Sequence, residues 1–434
     1  MAGLWFWKDI IQRMGKRVNR KQITVLFGSF LLVFIGIGVT INTTGVFIEA
    51  VSRARGFSLS SVSLIFSIGA LVNMGGAILV GHLLNRFDHR PVMAVSILLL
   101  GSGMMLYGFC DKIWHFYLVA LITGSGTAGS HLIPATMFVT RWFRRRRGMA
   151  MGIVLAGNGL GGLVFNPLTQ FFIEKNPLEM NYAYKSAYIL EGVLVIAVLL
   201  PTALLLRLPG VDENPNDKLS GPYGISLPPT PALQNHSTIR AALHTGTYWL
   251  IAFMMLGVSA VFMGMNQHLY GHFSLCLGFP QEKASLLIGL MMGMTVPGIL
   301  IAGITADKVG IRRSLLLFGT GLTGSLFLLL FIDTLLWALG FVLVYGFFNV
   351  LQTVYPPLLV GRSFGEAHYP SVFGSLIVAQ TLGAAFGPYV IGLVFDRTGS
   401  YLPSFIGAAL ILSASLVFGA LASGKETTVL KKTA

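Results

Sequence analysis

Charge is what this chain has least of. Asp, Glu, Lys and Arg together make up 11% of its 434 residues, against about 25% in soluble domains. Apolar residues make up 54%, so a water-soluble fold would precipitate and lipid must be the solvent for most of the chain. Cysteine is almost absent: Cys110 and Cys276 stand alone, one near each outer end of two apolar runs. Two buried thiols are expected there rather than a disulfide. P-loops, zinc-binding spacings and nucleophile elbows are missing, and the loops are too short to hold a catalytic domain. Neither an enzyme nor a bound cofactor or metal is expected.

Long apolar runs are abundant. Twelve stretches of about 20 residues match the thickness of a bilayer core: 23–48, 60–84, 91–110, 115–140, 147–173, 183–207, 245–270, 282–306, 312–332, 336–361, 369–395 and 401–422. The expected fold is an all-α polytopic membrane protein. Its domains are a cytoplasmic interfacial segment 1–22, a six-helix bundle 23–207, a linker 208–244, a second bundle 245–422 and a tail 423–434. The linker is rich in Pro, Asn, Gly and Ser and shows no periodic apolar face. Trp5, Phe6, Trp7, Ile10 and Ile11 beside Lys8, Arg13, Lys16 and Arg17 suggest an N-terminal helix lying on the inner leaflet.

The formal net charge is +14, and its placement argues for topology rather than nucleic acid. Arginine fills five of the seven positions from Arg141 to Arg147, a cluster that is costly to translocate. With both termini cytoplasmic, 23 of the 30 Lys and Arg fall on the inner side. Anionic lipid headgroups are the expected partner of that surface.

The chain also repeats itself at an offset of 222. Gly56-Phe57 returns as Gly278-Phe279, Ser63-Leu64 as Ser285-Leu286, Gly81 as Gly303, Arg90 as Arg312, Pro134 as Pro356 and Gly152 as Gly374. Because the offset covers an even number of spans, the two six-helix bundles are parallel, related by an axis along the membrane normal.

Two loops sit at equivalent places in the halves. Gly81-His82-Leu83-Leu84-Asn85-Arg86-Phe87-Asp88-His89-Arg90 joins the second and third spans; Gly303-Ile304-Thr305-Ala306-Asp307-Lys308-Val309-Gly310-Ile311-Arg312-Arg313 joins the eighth and ninth. They resemble the signature loop of the major facilitator superfamily, G-x-x-x-D-R/K-x-G-x-R/K. The first copy departs from it, with Asn85 for Asp and Asp88 for Gly. Arg86, Asp88, Arg90, Asp307, Arg312 and Arg313 are the candidate gating residues, since charged pairs there can break as the halves rock. The run from Arg141-Trp142-Phe143 through Gly148-Met149-Ala150-Met151-Gly152 to Gly157-Asn158-Gly159-Leu160-Gly161-Gly162 is similar to that of the monocarboxylate transporter and oxalate–formate antiporter-like group. So are Gly383 to Pro388 and Asp396-Arg397-Thr398-Gly399-Ser400-Tyr401. The glycines of the fifth span, Gly148, Gly152, Gly157, Gly161 and Gly162, would form one close-packing face at the moving contact between halves.

Polar groups deep in such spans are costly unless they face a cavity or a partner. Candidate substrate-binding residues are Asn42, Asn73, His131, Asn158, Asn266, His268, Asn349, Gln352, Tyr355 and Gln380. Spans 1, 4, 7 and 10 supply most of them, and the resemblance implies that those four line a central cavity. His131, Glu191 and His268 are the candidate proton-coupling groups; histidine titrates near physiological pH. The eighth span holds no charged residue from Ala284 to Ala306, whereas the resemblance implies an anion-binding arginine there. Met291, Met292 and Met294 suggest an adaptable apolar wall instead.

The expectation is a monomeric secondary transporter in the bacterial inner membrane, moving a small organic solute by alternating access with protons. A monocarboxylate or related organic acid is the substrate that the resemblance implies. The alternative is a carrier or exporter of a neutral, zwitterionic or amphipathic compound (amino acid, siderophore or drug-like), or a non-transporting receptor of the same fold.

Overall fold

The computed structural model describes residues 20–143, 147–175, 183–208 and 236–423. Among them twelve long helices run through the molecule. The first half holds α1 (Lys21–Arg55), α2 (Leu59–Leu84), α3 (His89–Tyr107), α4 (Ile113–Trp142), α5 (Met149–Glu174) and α6 (Tyr184–Leu205). The second holds α7 (Gly246–Cys276), α8 (Gln281–Val309), α9 (Ile311–Leu328), α10 (Leu335–Gly365), α11 (Val372–Thr398) and α12 (Leu402–Ser423). By length and composition, 11 of these are apolar enough to cross a membrane. The remaining helix is α9, whose first turn carries Arg312 and Arg313 and so dilutes the apolar stretch.

The expected spans coincide with these helices, most ends falling within four residues, while α1 and α7 run on to Arg55 and Cys276, past the expected ends at 48 and 270. The interfacial segment before Arg20, Arg144 to Arg146, residues 209–235 of the linker and the tail beyond 423 lie outside the described residues. One correction falls at the end of the linker: His236–Leu243 is a helix, not irregular chain.

The sequence repeat has a structural counterpart. Gly56 and Gly278 hold φ of 68° and 66°, each just after the first helix of its half. A left-handed residue there lets the chain reverse at the helix end, and glycine adopts it without a Cβ penalty. Packing repeats too. Helix α1 lies on α5 and α7 on α11, while α2 lies on α4 and α8 on α10. The halves meet where α5 packs on α8 and α2 on α11.

The glycines of α5 do not form one face. Gly157 and Gly161 press on α1, where an added Cβ would come within 3.1 Å of the Phe30 carbonyl and 2.4 Å of the Phe34 carbonyl. Gly159 and Gly162 turn to the other half, against Met292 and Thr295 of α8. Successive glycines lie on different sides of a 3.6-residue helix, so a spacing that mixes 4, 5 and 1 serves two contacts at once.

Among the described residues, α6 carries an apolar π turn at Val195–Leu199, and three other helices are interrupted near mid-depth beside polar residues. In α1 a π turn spans Gly38–Asn42. In α4 the helix breaks at His131 (φ −137°, ψ −77°), and in α10 at Asn349 and Val350. Breaks inside a membrane are tolerated where side chains or a cavity satisfy the freed backbone groups. Polar residues stand at all three.

Candidate functional site

A cavity of about 130 Å³ opens beside the α1 break. Its polar wall comes from Thr40, Thr43 and Thr44 of α1, Asn73 of α2, Tyr107 of α3, Thr123 and Thr127 of α4, Tyr188 of α6 and Gln267 of α7. Phe47, Phe66, Leu100 and Met263 supply apolar surface. Lys, Arg, His, Asp and Glu are absent from this lining. Threonine makes such a wall possible because its hydroxyl can return its hydrogen to the preceding helical turn. Thr40 donates to the Gly36 carbonyl and Thr43 to the Val39 carbonyl, both at 2.6 Å.

Of the ten substrate-binding candidates, Asn73 lines this cavity. The others are placed as follows. Asn42 donates to both the carbonyl and the side chain of Asn158, at 2.9 and 3.0 Å, tying α1 to α5. Asn349 donates to Asn266 at 3.2 Å, tying α10 to α7. Tyr355 shares a 2.8 Å hydrogen bond with Ser314 of α9, and Gln380 reaches the Gln352 carbonyl at 3.5 Å. His131 accepts from the Leu132 N–H at 2.7 Å and packs its ring against Gly36; it is outside the cavity lining. Except for His131, whose bond stays within α4, each of these pairs joins two helices, which is how a buried amide or hydroxyl is satisfied in lipid.

Other polar residues join the two halves. Glu49, 2% exposed, is the hub. It accepts from Arg53 one turn on and from Ser274 at the end of α7. Gln281, at the start of α8, lies between Arg53 and Gln170 of α5, and Tyr270 donates to Gln170 at 2.6 Å. On the opposite flank, Asp396 of α11 accepts from the backbone N–H of Leu59 at 3.0 Å and of Ser60 at 2.9 Å. His268 belongs to this closure rather than to the cavity: its Nε2 lies 2.8 Å from the Pro388 carbonyl and 3.2 Å from Ser63 Oγ. Ser67 donates to the Ala385 carbonyl at 2.5 Å. Among the described residues, the hydrogen bonds that bridge the halves lie on this side, toward the loops that follow odd-numbered helices.

Glu49 and Asp396 were not among the candidates. Glu49 stands one residue past the expected end of the first span, yet its spacing to Arg53, four residues on, was a readable sign of a helical ion pair. The deep ionisable set therefore has four members, Glu49 beside His131, His268 and Glu191. Glu191 accepts from Thr169 of α5 at 2.5 Å, and its second oxygen has no partner among the described residues.

At the other end, the signature loops behave differently from each other. Asp88 caps α3, accepting from the Arg90 N–H at 3.2 Å, and pairs with His89 at 2.8 Å. His89 Nε2 in turn reaches the Leu206 carbonyl at 3.0 Å, so this copy is tied within its own half. In the second copy Gly310 takes φ 89°, which explains its glycine. Asp307, Arg312 and Arg313 form no ion pair among the described residues, and Arg86 closes the helix that precedes the first loop.

Two parallel six-helix bundles, hydrogen-bonded across one end, with a polar cavity in the first that Met263 and Gln267 of the second close, are an architecture suited to a membrane transporter. The sequence model of the Major Facilitator Superfamily matches residues 25–388 and 251–433, and the chain belongs to that family. It is not an enzyme. It is 26% identical over 379 residues to Monocarboxylate transporter 13 of Rattus norvegicus, covering 86% of this chain and 82% of that one. It is 24% identical over 389 residues to an aspyridones efflux protein of Emericella nidulans, covering 88% and 74%. Among solved structures, a bacterial homolog of the human lysosomal transporter Spinster, in an inward-facing and occupied conformation, superposes with a TM-score of 0.68 at 13% identity, covering 96% of this chain and 98% of that one. The nucleoside transporter NupG gives 0.67 at 14% identity, covering 94% and 99%.

Proposed function

We propose that this protein is a secondary transporter that moves a small organic solute across the cytoplasmic membrane by alternating access, in the conformation closed to the outside. One observation carries the reading: the halves are stitched together at one end, where Glu49 holds Ser274, Asp396 holds the N–H groups of Leu59 and Ser60, Tyr270 holds Gln170 and His268 holds Ser63. The distribution of Lys and Arg supports calling the stitched end extracytoplasmic, with both termini inside and anionic lipid around the inner surface. A solved relative described as inward-facing supports the same assignment.

The proposed cycle runs on two gates. Solute and proton bind near mid-membrane, the outer latch opens as the inner loops close, and Asp307, Arg312 and Arg313 then find partners in the other half. Glu191 is the best-placed proton carrier, one turn along α6 from the cavity residue Tyr188 and with an oxygen unpartnered. His131 is the second candidate, and His268 links protonation to the latch.

The first substrate class is a monocarboxylate or related organic acid, supported by the names of relatives. A second reading, a neutral, zwitterionic or amphipathic solute, is favoured by a specific observation: no lysine or arginine lines the cavity. An uncompensated anion there would lose its hydration without a partner. Counterflow in proteoliposomes tests the carrier reading. Internal unlabelled solute should accelerate entry of labelled solute; flux without trans-acceleration is the behaviour of a channel and overturns it.

A further inference from the structure

The cavity wall has already spent most of its hydrogens. A threonine hydroxyl carries one hydrogen and two lone pairs. Thr40, Thr43 and Thr44 give that hydrogen to the carbonyls of Gly36, Val39 and Ile41, each at 2.6 Å, and Thr127 gives its own to Thr123 at 2.7 Å. What these four side chains still offer a ligand is lone pairs. Tyr107 and Thr123 share a 3.1 Å hydrogen bond in which either hydroxyl can be the donor, and Thr123 Oγ1 also lies 3.3 Å from the Val119 and Ala120 carbonyls. The amide oxygens of Asn73 and Gln267 have no hydrogen-bond partner among the described residues. The donors that remain are the two amide nitrogens, the Tyr188 hydroxyl and one hydroxyl of the Tyr107–Thr123 pair, against six acceptor oxygens, those of the four threonines and the two amides. Glu191 adds a carboxyl behind the same wall.

Buried acceptors left unmade are costly, and a ligand bringing hydrogens recovers that cost. A carboxylate brings lone pairs to lone pairs instead. We propose that this cavity, between α1, α2 and α4 and closed by Gln267 of α7, selects neutral or cationic organic solutes that present O–H or N–H groups beside an apolar body, and discriminates against carboxylates. The inference rests on the carrier reading and deepens it by naming the substrate class.

The test uses three probes with one carbon skeleton: 2-phenylethylamine, 2-phenylethanol and phenylacetate. Binding to the purified full-length protein is measured by calorimetry. The amine or the alcohol should bind at least about tenfold more tightly than phenylacetate, a ratio in the range of one hydrogen bond to a charged group. Thr127→Val removes an acceptor at constant shape and should weaken the favoured probe several-fold with an unchanged melting temperature; Gln267→Met is the second variant, should the first fail to fold. Phenylacetate binding as tightly as the others overturns the inference, as does the absence of binding by all three or wild-type affinity in both variants. Counterflow with the same probes separates the two claims. Exchange of phenylacetate alone sinks the donor-selective cavity and keeps the carrier, whereas amine binding without flux sinks the carrier and keeps the cavity.

Discussion

The carboxylate of Asp396, at the end of α11, caps the first turn of α2, taking the N–H groups of Leu59 and Ser60 at 3.0 and 2.9 Å. One half of the molecule thus supplies the helix cap of the other. An exposed cap is worth about 1 kcal/mol and a hydrogen bond to a charged group about 1.5–3 kcal/mol. Gly392 packs on the same turn, where a Cβ would lie 2.9 Å from the Ser60 backbone. Asp396→Ala should therefore shift the resting population toward the outward-open state, by roughly tenfold for about 1.4 kcal/mol. A cysteine placed at Ser67, buried at the same contact, should then react faster with an external maleimide. An unchanged rate would remove Asp396 from the latch.

Glu49 is the second point of attachment. Glu49→Gln keeps the shape but loses the charge that holds Arg53 and Ser274. Uptake should fall while the melting temperature drops by only a few degrees, because the latch joins the halves and not the core of either. A collapse of folded yield would instead make Glu49 a structural residue.

Glu191→Gln should abolish uptake driven by a proton gradient and spare exchange at equal pH on both sides. His131→Ala should weaken acid stimulation less, since the imidazole already accepts a backbone hydrogen bond inside its own helix break. Both variants retaining wild-type pH dependence would rule out this pair as coupling groups.

The glycines of α5 give a contrast that stability can read. Gly161→Ala drives a methyl to 2.4 Å from the Phe34 carbonyl and should lower the melting temperature clearly. Gly152→Ala meets nothing within 4 Å and should be neutral or slightly stabilising.

The cysteines differ from the sequence expectation in one respect. Both are free, but Cys276 is exposed and only Cys110 is buried. Burial, reinforced by the neighbouring Asp111 carboxylate and opposed by Arg55, pushes the Cys110 thiol up to about 11. It stays a neutral thiol at pH 7–9, with thiolate appearing only as pH approaches that value. Maleimide at pH 7.5 should label Cys276 and leave Cys110; equal labelling would contradict this burial.

How far the sequence reached depended on the kind of signal. Helix number, the repeat and the helix-reversing Gly56 and Gly278 were legible because bilayer thickness and backbone geometry each act on a single residue or a single run. The cavity was legible only as a list of buried polar residues. Asn42 and Asn158 look like cavity groups in one dimension and prove to satisfy each other, because pairing depends on helix rotation that no single span encodes. Tyr188 reaches the cavity through the packing of α6, which is a tertiary outcome. Asp396 was quoted as part of a motif, but its partner lies 336 residues away.

The central claim is that the closed end and the open end exchange roles. Spin labels on exposed sites at each end test it most directly: Phe109 and Phe331 at the latched end, Phe87 and Val309 at the signature-loop end, in a background with Cys276 replaced. Pulsed-resonance distances in lipid should show two populations whose changes oppose each other, the outer pair lengthening under acid and solute as the inner pair shortens. A single distance at both ends, unmoved by pH, solute or Asp396→Ala, would contradict the account.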